Sequence, residues 1–103
     1  MRLKPGVKTE GVKPEALVAL QVVARVFSEN PRYGELVVTS ITDDAPGRVP
    51  GSLHPKGFAF DIRTRDLTDT LRRELAQTIA LRLGADYDVV LEADHIHVEY
   101  DPS

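Results

Sequence analysis

Residues 87–100 read Tyr87-Asp88-Val89-Val90-Leu91-Glu92-Ala93-Asp94-His95-Ile96-His97-Val98-Glu99-Tyr100. A two-residue turn at Ala93-Asp94 folds this stretch into an antiparallel hairpin, with Glu92 facing His95, Val90 facing His97 and Asp88 facing Glu99. Directly opposed residues of an antiparallel pair share a face. Tyr87, Val89, Leu91, Ile96, Val98 and Tyr100 then fall on one apolar face, and both histidines fall on the other. Ala-Asp is not a favoured hairpin turn, so a longer loop with shifted pairing stays open. The agreement of the two faces is what favours the hairpin.

Working outward, Phe58 to Arg63 also alternates, with Phe58, Phe60 and Ile62 on one side and Ala59, Asp61 and Arg63 on the other. Leu36 to Thr42 is apolar and β-branched and predicts a further strand. Between them, Asp43 to Ser52 contains Pro46, Gly47, Pro50 and Gly51 and reads as a loop. Thr68 to Leu83 predicts a helix capped by Thr68 and ended by Gly84. Its buried side would be Leu71, Leu75, Ala76, Ile79, Ala80 and Leu83. Pro14 to Glu29 predicts another, with Pro14 in the first turn, where its missing N–H costs nothing. Ala16, Leu17, Leu20, Val23, Ala24 and Phe27 form its stripe, and Asn30-Pro31 ends it. Residues 1–13, rich in Gly, Lys and Pro, read as an N-terminal arm. The order α, β, β, α, β, β implies an α+β fold, a small antiparallel sheet with two helices packed on one face. Asp61, His95 and His97 would then share the other face.

The chain has 103 residues, enough for one compact domain (1–103) and too few for two. Its net charge of −3 offers no basic surplus to neutralise phosphates, so a nucleic-acid partner is not expected. Arg63, Arg65, Arg72 and Arg73 form the only tight basic cluster and read as a solvated helix entry. With no cysteine, disulfides and thiolate metal sites are excluded. The basic start lacks an apolar segment behind it, so no signal peptide is expected, and no apolar run approaches a membrane span.

The chemistry-bearing residues concentrate. All three histidines lie at positions 54, 95 and 97, and Asp61 follows His54 by seven residues on a polar strand face. Imidazole nitrogen and carboxylate oxygen are natural zinc ligands, and three protein ligands with one open position are the catalytic pattern.

Ser52-Leu53-His54-Pro55-Lys56-Gly57-Phe58-Ala59-Phe60-Asp61 resembles the S-x-H-x-x-G-x-A-x-D signature of zinc D-Ala-D-Ala carboxypeptidases and L-alanyl-D-glutamate endopeptidases. Ser52, His54, Gly57, Ala59 and Asp61 match its fixed positions, and His95-Ile96-His97 resembles the second motif of that family. The same metal arrangement is known in lysostaphin-type peptidases and the hedgehog signalling domain, and the short form is most similar to phage-encoded members. The resemblance implies zinc held by His54, Asp61 and His97, with Asp94 as general base and His95 beside the metal, stabilising the oxyanion. The hairpin register puts Asp94 at the turn tip and Glu92 on the histidine face, so Glu92 competes for the role of base. Gly57 and Ala59 would keep the strand entrance slim enough for His54 and Asp61 to converge.

Where many carboxypeptidase relatives carry an arginine in a Ser-Gly-Tyr-Arg stretch, this chain reads Thr39-Ser40-Ile41-Thr42-Asp43. Arg48 takes over the grip on substrate or is a solvated loop residue, and Ser52 either contacts substrate or bonds its own loop. The implied activity is a zinc metallopeptidase of the carboxypeptidase or endopeptidase kind. It would act as a monomer on peptidoglycan peptides, made in the cytoplasm and acting on the cell wall as a phage endolysin or virion-associated factor does. The alternative is a non-catalytic metal-binding recognition or virion module on the same fold.

Overall fold

The computed structural model describes residues 1–42 and 56–102. The strands are β1 (Arg2–Leu3), β2 (Val37–Ser40), β3 (Ala59–Arg63), β4 (Tyr87–Leu91) and β5 (His95–Tyr100), and the helices are α1 (Pro14–Glu29) and α2 (Asp69–Leu83). The strands form one sheet in the order β1-β2-β3-β5-β4. The fold is therefore α+β, as expected, but the sheet is mixed: β2 to β5 pair antiparallel, whereas β1 runs parallel to β2. Thus β1 lies inside the segment read as an arm. Two residues carry too little periodicity to announce a strand. Its pairing comes instead from backbone bonds, Arg2 N–H to the Leu36 carbonyl at 2.9 Å and Lys4 N–H to that of Val38 at 2.8 Å.

The β4–β5 register is the one read from sequence. Asp88 opposes Glu99, Val89 opposes Val98 and Val90 opposes His97, and Glu92 N–H bonds the His95 carbonyl at 2.8 Å. The unfavourable Ala93-Asp94 turn is held from outside. The Thr64 N–H donates to the Asp94 carbonyl at 2.9 Å, and the Arg72 guanidinium donates to the Ala93 carbonyl. Arg72, which also pairs with Asp69, is thus a tertiary anchor and not part of a solvated entry.

Alternation carries one sheet face into the core. Val38, Phe60, Ile62, Ile96 and Val98 are fully buried against Val23 and Val26 of α1 and Leu75 and Ile79 of α2. Burying side chains of this size contributes about 1.5–3 kcal/mol each. The helix stripes differ in detail from the expectation. In α1, Ala19 and Val26 are buried where Leu17 is exposed. Ala80 of α2 faces solvent, and Leu91 is exposed near the hairpin tip. Each helix contacts only part of the sheet and the other helix, so its buried arc is narrower than its apolar arc.

A register shift in β2 matters more. Val38 pairs with Ile62 but Ser40 pairs with Asp61, so β2 carries an extra residue at Thr39. The resulting bulge turns Ser40 from the helix side to the polar side, beside Asp61.

Gly57 has a firmer reason than a slim strand entrance. Its φ is +86°, and a Cβ there would lie 2.1 Å from the Gly11 carbonyl oxygen; its own carbonyl accepts the Lys13 N–H at 2.9 Å. Gly57→Ala should cost about 1–2 kcal/mol for the left-handed backbone and about 1–3 kcal/mol more for overpacking against Gly11. Gly34→Ala, at φ +72° with nothing within 4 Å, should show only the first cost. Urea denaturation of both variants checks this, and equal losses would contradict it.

Candidate metal centre

The polar sheet face is a grid set by strand pairing. Asp61 lies between Ser40 and His97, Arg63 opposes His95, and Ala59 opposes Glu99. At the centre, His97 Nδ1 lies 3.0 Å from Asp61 Oδ1, and its other nitrogen, Nε2, lies 3.1 Å from Glu99 Oε1. The His97 side chain is 19% exposed and that of Asp61 13%, so this pairing is shielded where surface ion pairs are not.

The arrangement fits a shared metal. Two ligand atoms each bonded to one tetrahedral zinc at its usual length lie about 3.3 Å apart, close to the Asp61–His97 separation. Glu99 at the opposite ring nitrogen is the kind of partner that orients a ligating histidine and raises its basicity. Two of the three expected ligands are thereby brought together. The third, His54, lies outside the described residues, as do Ser52 and Arg48.

Asp94 and His95 stand at the rim. The His95 Nδ1 and Asp94 Oδ1 are 2.8 Å apart, and this bond, ahead of all other influences, holds the Asp94 carboxyl below the usual range. Asp94 is therefore ionised and able to accept a proton. Despite its place at the turn tip, Asp94 borders a cavity of about 230 Å³ together with Asp61 and His95. Glu92 is exposed at the hairpin end and does not line that cavity.

A second acidic group was not singled out in the sequence. Asp88, Glu99 and Asp101 bring carboxylate oxygens within 4.8 Å of one another. Asp88 is held above the ordinary carboxyl range by partial desolvation, then by its hydrogen bond to Asp101 and the negative charges of Asp101 and Glu99. The Asp88–Glu99 opposition was legible in the hairpin register. The approach of Asp101 follows from its N–H bonding the Asp86 carbonyl at 2.8 Å, beyond the reach of alternation. Glu99 belongs to both groups, facing His97 on one side and Asp88 on the other.

No protein-family model matches this chain, and no curated protein matches it.

In the metal-free protein the hydrogen bond to Asp61 raises the His97 pKa above its usual value; burial opposes this and Glu99 adds to it. A raised folded-state pKa gives stability that is fully present below the unfolded value of about 6.5 and lost as pH rises through the folded value. An NMR titration of metal-free protein should place the His97 midpoint above that of a free imidazole, and Asp61→Asn should lower it. An unchanged midpoint in Asp61→Asn would show that Asp61 does not hold the proton on His97.

Proposed function

We propose that this chain is a zinc-dependent metallopeptidase that hydrolyses peptide bonds of bacterial peptidoglycan, with a fold of the hedgehog and D-Ala-D-Ala-peptidase type. The observation that carries the reading is the close Asp61–His97 pair on a shielded sheet face, with Asp94 and His95 at the rim of the cavity that Asp61 lines. The motif resemblance supplies His54 as third ligand.

Bound zinc would polarise the scissile carbonyl and lower the pKa of a coordinated water. The chain's own residues then do the following. Glu99 holds the His97 ring, which fixes the donor nitrogen facing Asp61. Asp94 accepts a proton from the attacking water on Oδ2, the oxygen that its bond to His95 leaves, and returns it to the departing amine. The carbon–nitrogen bond breaks and the second product leaves as a carboxylate. His95, held through Nδ1 by Asp94, turns its other ring nitrogen to the oxygen that gains charge. The tip carrying both residues is tied down through Thr64 and Arg72, as hydrolysis requires of groups that must not shift between turnovers.

Purified peptidoglycan should release new amino groups with this protein. EDTA should abolish the release and zinc restore it. Asp94→Asn should keep its zinc while losing activity by about 10²–10⁴-fold, the usual worth of a general base. Full activity in excess EDTA would refute the peptidase reading. Zinc binding without any hydrolysis would leave a metal-binding recognition module in its place.

A further inference from the structure

The cavity beside Asp61 has an uneven wall. Its acids are Asp61 and Asp94, and each already meets a histidine, His97 and His95 respectively. Its cations are Lys4, Arg63 and Arg65. Among the described residues none of these three makes a side-chain hydrogen bond or ion pair. Arg2, Arg32, Arg72 and Arg82, in contrast, each meet an acid elsewhere on the molecule. Arg63 is moreover partly buried.

The fold places these cations with some care. Arg63 follows Asp61 by two residues on β3, so it shares the polar face and stands about 7 Å farther along the strand. Across the sheet it opposes His95. Lys4 is held at the end of β1 by its own N–H bond to Val38, so the added parallel strand is what delivers it. Arg65 lies just beyond β3, close enough to Asp94 to contribute to the lowering of its pKa.

We propose that Arg63 and Arg65, assisted by Lys4, form a carboxylate-binding subsite that selects peptides bearing a free carboxylate on a residue adjoining the cut bond. One residue of extended chain spans about 3.5 Å, so a carboxylate one residue and a short side chain away from the reacting carbonyl reaches the distance at which Arg63 stands from Asp61. A guanidinium binds such a group through two parallel N–H donors. The substrate-gripping arginine missing from the strand before the signature is thus replaced by one after Asp61. This inference rests on the peptidase reading for its kinetic test but not for its binding test.

Soluble muropeptides are the probe, in their native form and with the C-terminal or the side-chain carboxylates converted to carboxamides. For the wild-type zinc protein, at least one amidated form should show KM raised about tenfold or more with kcat within about twofold, since a uniform binding contact is removed. R63Q/R65Q should show the same rise on the native peptide and no further loss on that amide. Loss with either amide that disappears in R63Q/R65Q supports the subsite and tells which carboxylate it holds. No loss with either, or unchanged discrimination in R63Q/R65Q, overturns it. If the wild-type protein cleaves none of the peptides, the peptidase reading has failed separately. NMR titration of the Arg63 and Arg65 side-chain signals with the native and amidated peptides then decides the subsite. Shifts with the carboxylate form alone support it, and equal or absent shifts refute it. A matched circular dichroism melting curve for R63Q/R65Q excludes misfolding as the cause.

Discussion

The pairing of β3 with β5 opposes Asp61 to His97 across two hydrogen-bonded strands, and every other feature of the polar face takes its place from that register. A slip of one residue in either strand would leave the two side chains on opposite faces and turn the core residues of that strand, Phe60 and Ile62 or Ile96 and Val98, into solvent. The same apolar residues that stabilise the domain therefore enforce the position of the candidate ligands. Core packing and site geometry are two faces of one constraint.

The part of the fold that depends on period-two alternation was legible in the sequence. Asp61, Arg63, His95 and His97 were assigned to one face from alternation alone, and the hairpin register was found by asking which pairing keeps the two faces chemically pure. What escaped depended on contacts distant in sequence. Strand β1 exists because Arg2 and Lys4 find carbonyls on β2, not because of its own residues. The bulge at Thr39 leaves no mark in a stretch that reads as uniformly β-branched, yet it decides that Ser40 lies beside Asp61. The anchoring role of Arg72 was hidden because four arginines near a helix entry look alike until the tertiary fold separates them. The Ala93-Asp94 turn looked unfavourable because its stabilising partners, Thr64 and Arg72, lie outside the hairpin.

Electrostatics on the polar face run as a chain of compensated pairs. Asp61 and Glu99 flank His97, and Asp94 meets His95. In the absence of a metal the protonated His97 ring donates one N–H to Asp61 and the other to Glu99, which is why its pKa is raised against the effect of burial. A divalent cation would take over that proton's role with greater charge, so metal binding and loss of the His97 proton are linked. Beyond these pairs, the cations lining the cavity remain for a ligand to complete, while Asp88, Glu99 and Asp101 gather negative charge at the opposite end of the same hairpin.

The central claim is that a metal is shared by Asp61 and His97. A crystal structure of the zinc-loaded protein, with anomalous scattering recorded on both sides of the zinc absorption edge, tests it most directly. The account predicts one strong zinc peak within about 2.0–2.2 Å of both Asp61 Oδ1 and a His97 ring nitrogen, lost in Asp61→Ala. A peak confined to the Asp88, Glu99 and Asp101 carboxylates, or none on the polar face of β3 and β5, would contradict it.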